Sequence, residues 1–223
     1  KKCKNVRSYF SVPETDPESL KNAAELINKA KKPFIVWGQG VILGNAESEF
    51  IKFIEKTGIP AAWTILGLSA VPTEHPLNVG MVGMHGNYGP NVLTNECDLL
   101  IAVGMRFDDR VTGNLNSYAK QAKIIHFEID PAEVNKNVIA DVAVLGNVKN
   151  TLNDILKFLN KNNHKDWIAK FGEFYEIEFD KVIDKEYNKK SGGLSMAEVI
   201  KSINDNTNGE SILVTDVGQH QMV

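Results

Sequence analysis

The sequence contains little cysteine: Cys3 and Cys97 are the two among 223 residues. Two cysteines cannot build a disulfide framework, so we expect two free thiols in a reducing compartment, with Cys97 buried. No apolar run approaches the roughly 20 residues that a transmembrane helix needs. The first ten residues also lack the apolar segment of a signal peptide. We therefore expect a cytoplasmic protein that does not interact with membranes.

A large excess of charge of either sign is also missing. The formal net charge is −3 and the pI is near 6.0, so the composition predicts no nucleic-acid partner. With 43% hydrophobic and 24% charged residues, the chain has the composition of a soluble globular protein. No Cys and His residues stand at zinc-ligand spacing, and we predict no metal ligand. Residue 1 is not Met, and we expect the chain to be a piece of a longer protein.

What the chain does contain is an alternation of apolar strands and amphipathic helices. The strands are apolar without alternation, which is typical of a parallel sheet covered by helices on both faces. The fold class predicted is therefore α/β, a doubly wound, Rossmann-like parallel sheet of six strands. The predicted helices are 18–32 (N-cap Asp16, with Pro17 at the first position), 45–56, 91–96 and 148–160. The predicted strands are 33–37, 59–65, one near Val79, 98–104, 123–130 and 142–146.

The chain changes character after residue 163. Residues 164–190 are charged, aromatic and helix-prone, and are interpreted as a helical connecting segment. Ser195 and Glu198 form a capping-box pattern that predicts a new helix, followed by a strand at Ile212–Thr215. We therefore expect three parts: a central domain at 1–163, the connecting segment at 164–190, and the start of a second α/β domain at 191–223.

Four charges in GMRFDDRVTG directly follow the apolar strand DLLIAV. A solvated turn with local Arg–Asp pairs would explain them, each pair contributing about 0–1 kcal/mol. A charged hydrogen bond from Arg106 or Arg110 to a phosphate would contribute more, about 1.5–3 kcal/mol. Ligands of doubly wound sheets bind at the carboxyl ends of strands, and this position favours a nucleotide. Glu128 and Asp130 end another strand, and suit either a ribose or adenine contact or a helix cap before Pro131.

Other motifs are weaker on their own. Gly38-Gln39-Gly40 with Gly44 suits either a phosphate-binding loop or an ordinary strand-to-helix turn. The second strand ends without an acidic residue for a ribose, which argues against an ordinary NAD dehydrogenase. A single loop histidine such as His85 is more often structural than catalytic. The polar TDVGQHQM at 215–222 suits a phosphate site at a strand end, but is equally weak alone.

Taken together, several segments resemble the large catalytic subunit of acetolactate synthases (acetohydroxyacid synthases), a family of thiamine-diphosphate enzymes. The matching segments are GQGVILG, TILGLSAVPTEHPLNVGMVGMHG, CDLLIAVGMRFDDRVTG, IIHFEIDPAEVNKN and VTDVGQHQM. They cover most of residues 33–150 and the last dozen. GxRFDDRVTG and VGQHQM are the most specific to the family. The resemblance implies a central FAD-binding domain followed by the beginning of the thiamine-diphosphate-binding domain.

The resemblance also implies site residues, position by position. The FAD-binding residues would be Gly38, Gln39, Gly40, Thr64, Ile65, Met84, His85, Gly104, Met105, Arg106, Asp108, Arg110, Val111, Glu128 and Ile129. The residues near thiamine diphosphate would be Val217, Gly218, Gln219 and His220. The family's activating glutamate and its Mg²⁺ motif have no counterpart in this sequence, so no catalytic or metal-binding residue is assigned and the chain is expected to be inactive alone. Met105 replaces a smaller residue, and Asn147 stands where the family commonly has Asp.

The implied reaction is decarboxylation of pyruvate and its condensation with a second 2-keto acid, pyruvate or 2-ketobutyrate, in branched-chain amino acid biosynthesis. Implied partners are a second copy of the chain, in a dimer or tetramer, and a small regulatory subunit. The implied cofactors are FAD, thiamine diphosphate and Mg²⁺. A stand-alone FAD- or NAD-binding module of the same fold is the alternative interpretation.

Overall fold

A computed structural model of the chain describes residues 12–188, 192–216 and 218. The chain divides into two compact units between Phe171 and Gly172. Within the described ranges, no helix is both long and apolar enough to span a bilayer. The predictions made for Cys3, Val217, Gln219 and His220 fall outside the described residues.

The first unit contains a six-stranded sheet, and all of its strand pairs are parallel. The strands are β1 Pro33–Trp37, β2 Ala61–Trp63, β3 Asn78–Met81, β4 Leu99–Val103, β5 Lys123–Glu128 and β6 Val142–Leu145. Their order across the sheet is β3-β2-β1-β4-β5-β6. The prediction of a doubly wound, six-stranded parallel sheet is confirmed.

Seven helices accompany the sheet in the described part of the chain up to residue 178. They are α1 Pro17–Lys29, α2 Gln39–Leu43, α3 Glu47–Thr57, α4 Tyr88–Leu93, α5 Asp109–Thr112, α6 Val148–Ile155 and α7 Lys165–Glu178. Short 3₁₀ turns lie at Ile65–Gly67 and Leu156–Phe158.

Both faces of the sheet are buried. Alternate residues such as Ile35, Ile101 and Ile125 form one core with apolar residues of α1, α3 and α6. The opposite face carries Phe34, whose ring lies 5.1 Å from that of Phe171. In the central strands β1 and β4 neither face is open to water, so all five positions of each are buried, which is why these strands show no alternation in the sequence.

The start of α1 follows its local sequence, but its end does not. Asp16 caps the helix by accepting hydrogen bonds from the backbone N–H groups of Glu18 and Ser19, both at 3.1 Å. The helix was predicted to run to Lys32 and ends at Lys29. The Asp98 carboxylate accepts from the N–H groups of Lys31 and Lys32 at 2.7 and 2.9 Å, which turns the chain toward β1.

The segments around the glycines and Pro90 also differ from prediction. GQGVILG was interpreted as a loop, but Gly38 caps the short helix α2. Asn45 does not open α3; its φ is 47° and the helix begins at Glu47. The helix predicted at 91–96 is α4, three residues earlier, because proline is accepted in a first helical turn, where its missing N–H is not needed. The α5 turn within RFDDRVTG was not predicted.

The regular structure in the described residues of the second unit is helical. The end of α7 continues through a π-helical turn at Phe179–Ile183 into α8, Asp184–Tyr187. Helix α9 spans Met196–Thr207 and has the predicted capping box: Ser195 Oγ accepts from Glu198 N at 3.0 Å, and Glu198 Oε2 accepts from Ser195 N at 2.7 Å.

The strand predicted at Ile212–Thr215 is not formed. Residues 211–216 adopt no regular structure and join no sheet within the described part of the chain. The side chains of Ile212 and Val214 are left 93% and 91% exposed. A β-branched, apolar sequence favours a strand, but a strand needs a neighbour to pair its backbone groups.

Hydrogen exchange should separate this segment from the sheet. We expect the backbone amides of 211–216 to exchange at close to the rate of an unfolded chain, because they make no ladder hydrogen bonds. The amides of Leu99–Val103, in a central strand, should be the most protected. Exchange monitored by mass spectrometry tests this, and equal protection of the two segments would contradict it.

Candidate functional site

The carboxyl edge of the sheet offers a crevice between β1 and β4. These two strands are neighbours, yet the chain leaves β1 toward β2 on one side and leaves β4 toward β5 on the other. Such a reversal of strand order separates the two following loops and opens a binding crevice between them. The loop beginning at Gly38 and the loop beginning at Gly104 therefore border the candidate site.

Three glycines bring these two loops into backbone contact. Gly40 N donates to Gly104 O at 2.8 Å, and Gly38 N donates to Val103 O at 3.0 Å. A Cβ atom on Gly40 would lie 2.6 Å from Gly104 Cα, and Gly104 itself has a φ of 57°. The packing of the protein alone therefore requires glycine here, so the glycine pattern by itself does not indicate a ligand.

The loop after β4 directs one arginine outward. Met105 and Phe107 are buried, whereas the side chain of Arg106 between them is 66% exposed. The nearest carboxylate to Arg106 in an ion pair is that of Asp108, with Nη2 and Oδ2 3.7 Å apart. Asp108 also caps α5, since Oδ1 accepts from Arg110 N at 3.1 Å and Val111 N at 3.2 Å. Arg106 is thus held loosely and keeps most of its donors in solvent.

The second arginine adjoins the loop after β3. Arg110 Nη1 lies 3.6 Å from Met84 Sδ, and Met84 N donates to Arg110 O at 2.7 Å. Asn91 fixes the same loop, because its side-chain amide bonds both the N–H and the C=O of Gly83 at 2.9 Å. A groove of about 260 Å³ lies beside these residues, lined also by Thr112 and Tyr118. His85 is exposed on this loop.

The acid after β5 is already engaged. Glu128 is buried, and its Oε1 accepts from the N–H groups of Ile129 and Asp130 at 2.8 and 3.1 Å. Its Oε2 lies 3.5 Å from His126 Nε2. Burial raises the pKa of Glu128, but the hydrogen bonds from His126 and from the two backbone groups outweigh it, and the pKa lies below its ordinary value. Glu128 is therefore an anion whose oxygens face protein donors.

Large apolar side chains stand exposed on the segments that leave this edge. Ile65 and Leu66 follow β2, Met84 follows β3 and Ile129 follows β5, and each is at least 43% exposed. The turn carrying Ile65 lies next to the Gly38 loop, because Thr64 N donates to Trp37 O at 2.9 Å. Exposed apolar groups beside outward guanidinium groups fit a ligand that has both a charged and a flat apolar part.

The structure thus brings together most of the predicted FAD-binding residues at one edge of the sheet. They come from the loops after β1, β2, β3, β4 and β5. Met105 differs, since its side chain is buried and its carbonyl is bonded by His126 Nε2 at 3.0 Å. Asn147 caps α6, accepting from Lys149 N at 3.0 Å. Of the four residues predicted near thiamine diphosphate, Gly218 alone is described, and it lies in the second unit.

Two asparagines that support the site were not predicted. Asn91 clamps the loop after β3, and Asn137 Nδ2 donates to Phe107 O at 2.7 Å. A single asparagine carries no sequence signal that distinguishes such a contact from a surface position. Among residues 12–188, 192–216 and 218, no three His, Cys, Asp or Glu side chains are grouped to hold a metal ion. Cys97 is buried, and burial beside Asp98 raises the pKa of its thiol to about 12.

The sheet and its crevice define a doubly wound α/β class of domain, and the sequence comparison identifies its family. Residues 20–155 match the family described as "Thiamine pyrophosphate enzyme, central domain". Because this match covers more than half of the chain, the protein belongs to the thiamine pyrophosphate enzyme family.

Acetolactate synthases are among its curated relatives. The acetolactate synthase large subunit of Buchnera aphidicola subsp. Schizaphis graminum is 36% identical over 222 residues, which is 98% of this chain and 38% of the relative. The probable acetolactate synthase large subunit of Methanocaldococcus jannaschii is 41% identical over 214 residues, or 92% and 36%. The acetolactate synthase of Mycobacterium bovis is 40% identical over 220 residues, or 94% and 35%. The chain therefore spans little more than a third of the length of these relatives.

The glycine contact predicts a measurable asymmetry among glycine substitutions. Gly40→Ala should reduce the free energy of unfolding by about 1–3 kcal/mol or more, since the new Cβ meets backbone that cannot move independently. Gly172→Ala, in α7 with nothing within 4 Å of the added carbon, should instead stabilise the protein by about 0.5–1 kcal/mol. Urea unfolding of the two variants tests this; similar midpoints would show that the Gly38 and Gly104 loops are not in close contact.

Proposed function

We propose that the first unit binds FAD in the crevice between β1 and β4. The proposal depends chiefly on one observation: Arg106 and Arg110 present exposed guanidinium groups at the edge where apolar side chains are also exposed. A diphosphate needs charged donors, and Arg supplies them in a planar fork that matches phosphate oxygens. An isoalloxazine or adenine ring needs flat apolar contacts, which Ile65, Met84 and Ile129 would supply.

The remaining predicted residues would act mainly through their backbone. Gln39 follows β1 and Thr64 follows β2 at the same edge of the sheet, where Thr64 N donates to Trp37 O at 2.9 Å, and both would line the crevice. Gly38, Gly40 and Gly104 have no side chains and would keep the loops after β1 and β4 packed against each other, which leaves space for the ligand in the crevice. Asp108 and Val111 would fix the α5 turn and hence Arg110. Met105 and Glu128 would border the crevice on its protein side. The side chain of Met105 is buried, and that of Glu128 is hydrogen-bonded within the protein.

We further propose that the chain is part of an acetolactate synthase, which uses thiamine diphosphate with Mg²⁺ to condense pyruvate with pyruvate or 2-ketobutyrate in branched-chain amino acid biosynthesis. Membership of the thiamine pyrophosphate enzymes supports this, as do relatives that carry this name. Bound thiamine diphosphate would supply the electron sink for decarboxylation. The "large subunit" in the relatives' names also supports a small regulatory subunit as partner, beside assembly of copies of this chain.

A stand-alone nucleotide-binding module is the weaker alternative. The match to the central domain ends at residue 155, whereas the similarity to acetolactate synthases extends over 214 to 222 residues. A module limited to the central domain would not require the further sequence. The boundaries at residues 163 and 190 proposed from the sequence place this further sequence in a connecting segment and the start of another domain.

Substitution of Arg106 tests the FAD site. Arg106→Ala should raise the Kd for FAD roughly ten- to hundredfold, the loss expected for about 1.5–3 kcal/mol of charged hydrogen bonding. Stability should barely change, because the side chain is solvated without a ligand. Quenching of flavin fluorescence measures the Kd, with Lys29→Ala as a control, since Lys29 pairs with Glu25 on α1. Equal Kd values for Arg106→Ala and the unaltered protein would exclude the assignment.

The 223 residues by themselves should not form acetolactate. The diphosphate of thiamine diphosphate needs a divalent cation to offset its charge, and the sequence contains no Gly-Asp-Gly motif of the family's Mg²⁺ site. The chain should therefore remain inactive with pyruvate, thiamine diphosphate, Mg²⁺ and FAD, even when FAD is bound. A colorimetric assay for acetolactate tests this, and measurable product would show that the catalytic groups lie within this sequence.

A further inference from the structure

A buried histidine lies directly beneath the outward arginine of the candidate site. His126 is fully buried in β5, where the strand register places it between Ala102 of β4 and Ala143 of β6. Two alanines flanking a histidine leave room for the imidazole on that face of the sheet. The ring therefore occupies the space beside these two alanines. It lies near the carboxyl ends of β4, which precedes Arg106, and of β5, which ends at Glu128.

His126 contacts both neighbours of Arg106 in sequence. Its Nε2 lies 3.0 Å from Met105 O, and its ring packs edge-on against Phe107 with centroids 5.0 Å apart. The other atom facing Nε2 is Glu128 Oε2, at 3.5 Å. Both facing atoms are oxygens that accept, so Nε2 carries the hydrogen and donates it.

The second ring nitrogen distinguishes this histidine from ordinary core filling. His126 Nδ1 is buried and has no hydrogen-bond partner among the described residues. Burying a polar atom without a partner is unfavourable, and an apolar side chain of similar size would avoid it. The presence of an imidazole here therefore points to a requirement for the donor at Nε2.

We propose that His126 is a positioning residue for ligand binding, a role that rests on the proposed FAD site. By holding the Met105 carbonyl and the Phe107 ring inward, it fixes the peptide between them so that Arg106 projects into the crevice. Through Glu128 it also joins the loop after β5 to the loop after β4. The ligand class is one with a diphosphate, and the contact that His126 positions is the one made by Arg106.

Three substitutions separate the donor from simple packing. Gln places a side-chain N–H near the position of Nε2, Asn ends one bond earlier, and Met fills the space without a donor. We expect His126→Gln to keep the Kd for FAD within about threefold, and His126→Asn and His126→Met to raise it about five- to tenfold. Ile124→Val, on the same face of β5, controls for general loosening of the core and should leave the Kd unchanged.

A double-variant cycle then tests whether the effect passes through Arg106. In the Arg106→Ala protein, adding His126→Met should change the Kd by less than about twofold, because the arginine to be positioned is gone. Additive losses, or a Gln variant as weak as the Met variant, would overturn the positioning role alone. Unaltered protein that binds no FAD would overturn the proposed function, and the positioning role with it. Flavin fluorescence titration provides all of these values without an activity assay.

Discussion

The close approach of Gly40 to Gly104 is the constraint on which the candidate site depends. Their backbones meet through a 2.8 Å hydrogen bond, at the point where the sheet reverses its strand order. A side chain on either residue would push the loops after β1 and β4 apart. With the loops in contact, α2 begins directly at Gln39. The crevice is therefore shaped by backbone packing before any ligand is considered.

The sequence predicts those parts of the fold that depend on neighbouring residues. Apolar runs predict five of the six strands, and Asp16 and Ser195 predict two helix starts, because a cap acts within three residues of its own position. Contacts distant in sequence account for two of the errors. Helix α1 ends early because Asp98, more than 60 residues away, binds the N–H groups that would have continued it. The unpaired segment at Ile212–Thr215 shows the same limit, since strand propensity cannot supply a strand's neighbour.

The residues of the candidate site also fall into two groups, those that the sequence indicates and those that only the structure identifies. Charged residues at the end of an apolar strand were enough to indicate Arg106 and Arg110. Burial of Met105 and the engagement of Glu128 by His126 arise from packing between strands, which residue types alone do not reveal. Nor does the sequence show that Asn91 and Asn137 fix two of the loops from behind. Sequence identified the groups that face outward, and the structure identified those that hold them.

This division explains how four charges can follow a buried strand. Beyond β4 the side chains alternate, with Met105 inward, Arg106 outward and Phe107 inward. Each inward residue is held from the interior, Met105 by His126 and Phe107 by His126 and Asn137. The outward charge contributes little to folding, because an exposed pair with Asp108 at 3.7 Å stabilises a protein by only about 0–1 kcal/mol. Arg106 is thus available for binding, and a change there can alter ligand affinity while the interior contacts preserve the loop.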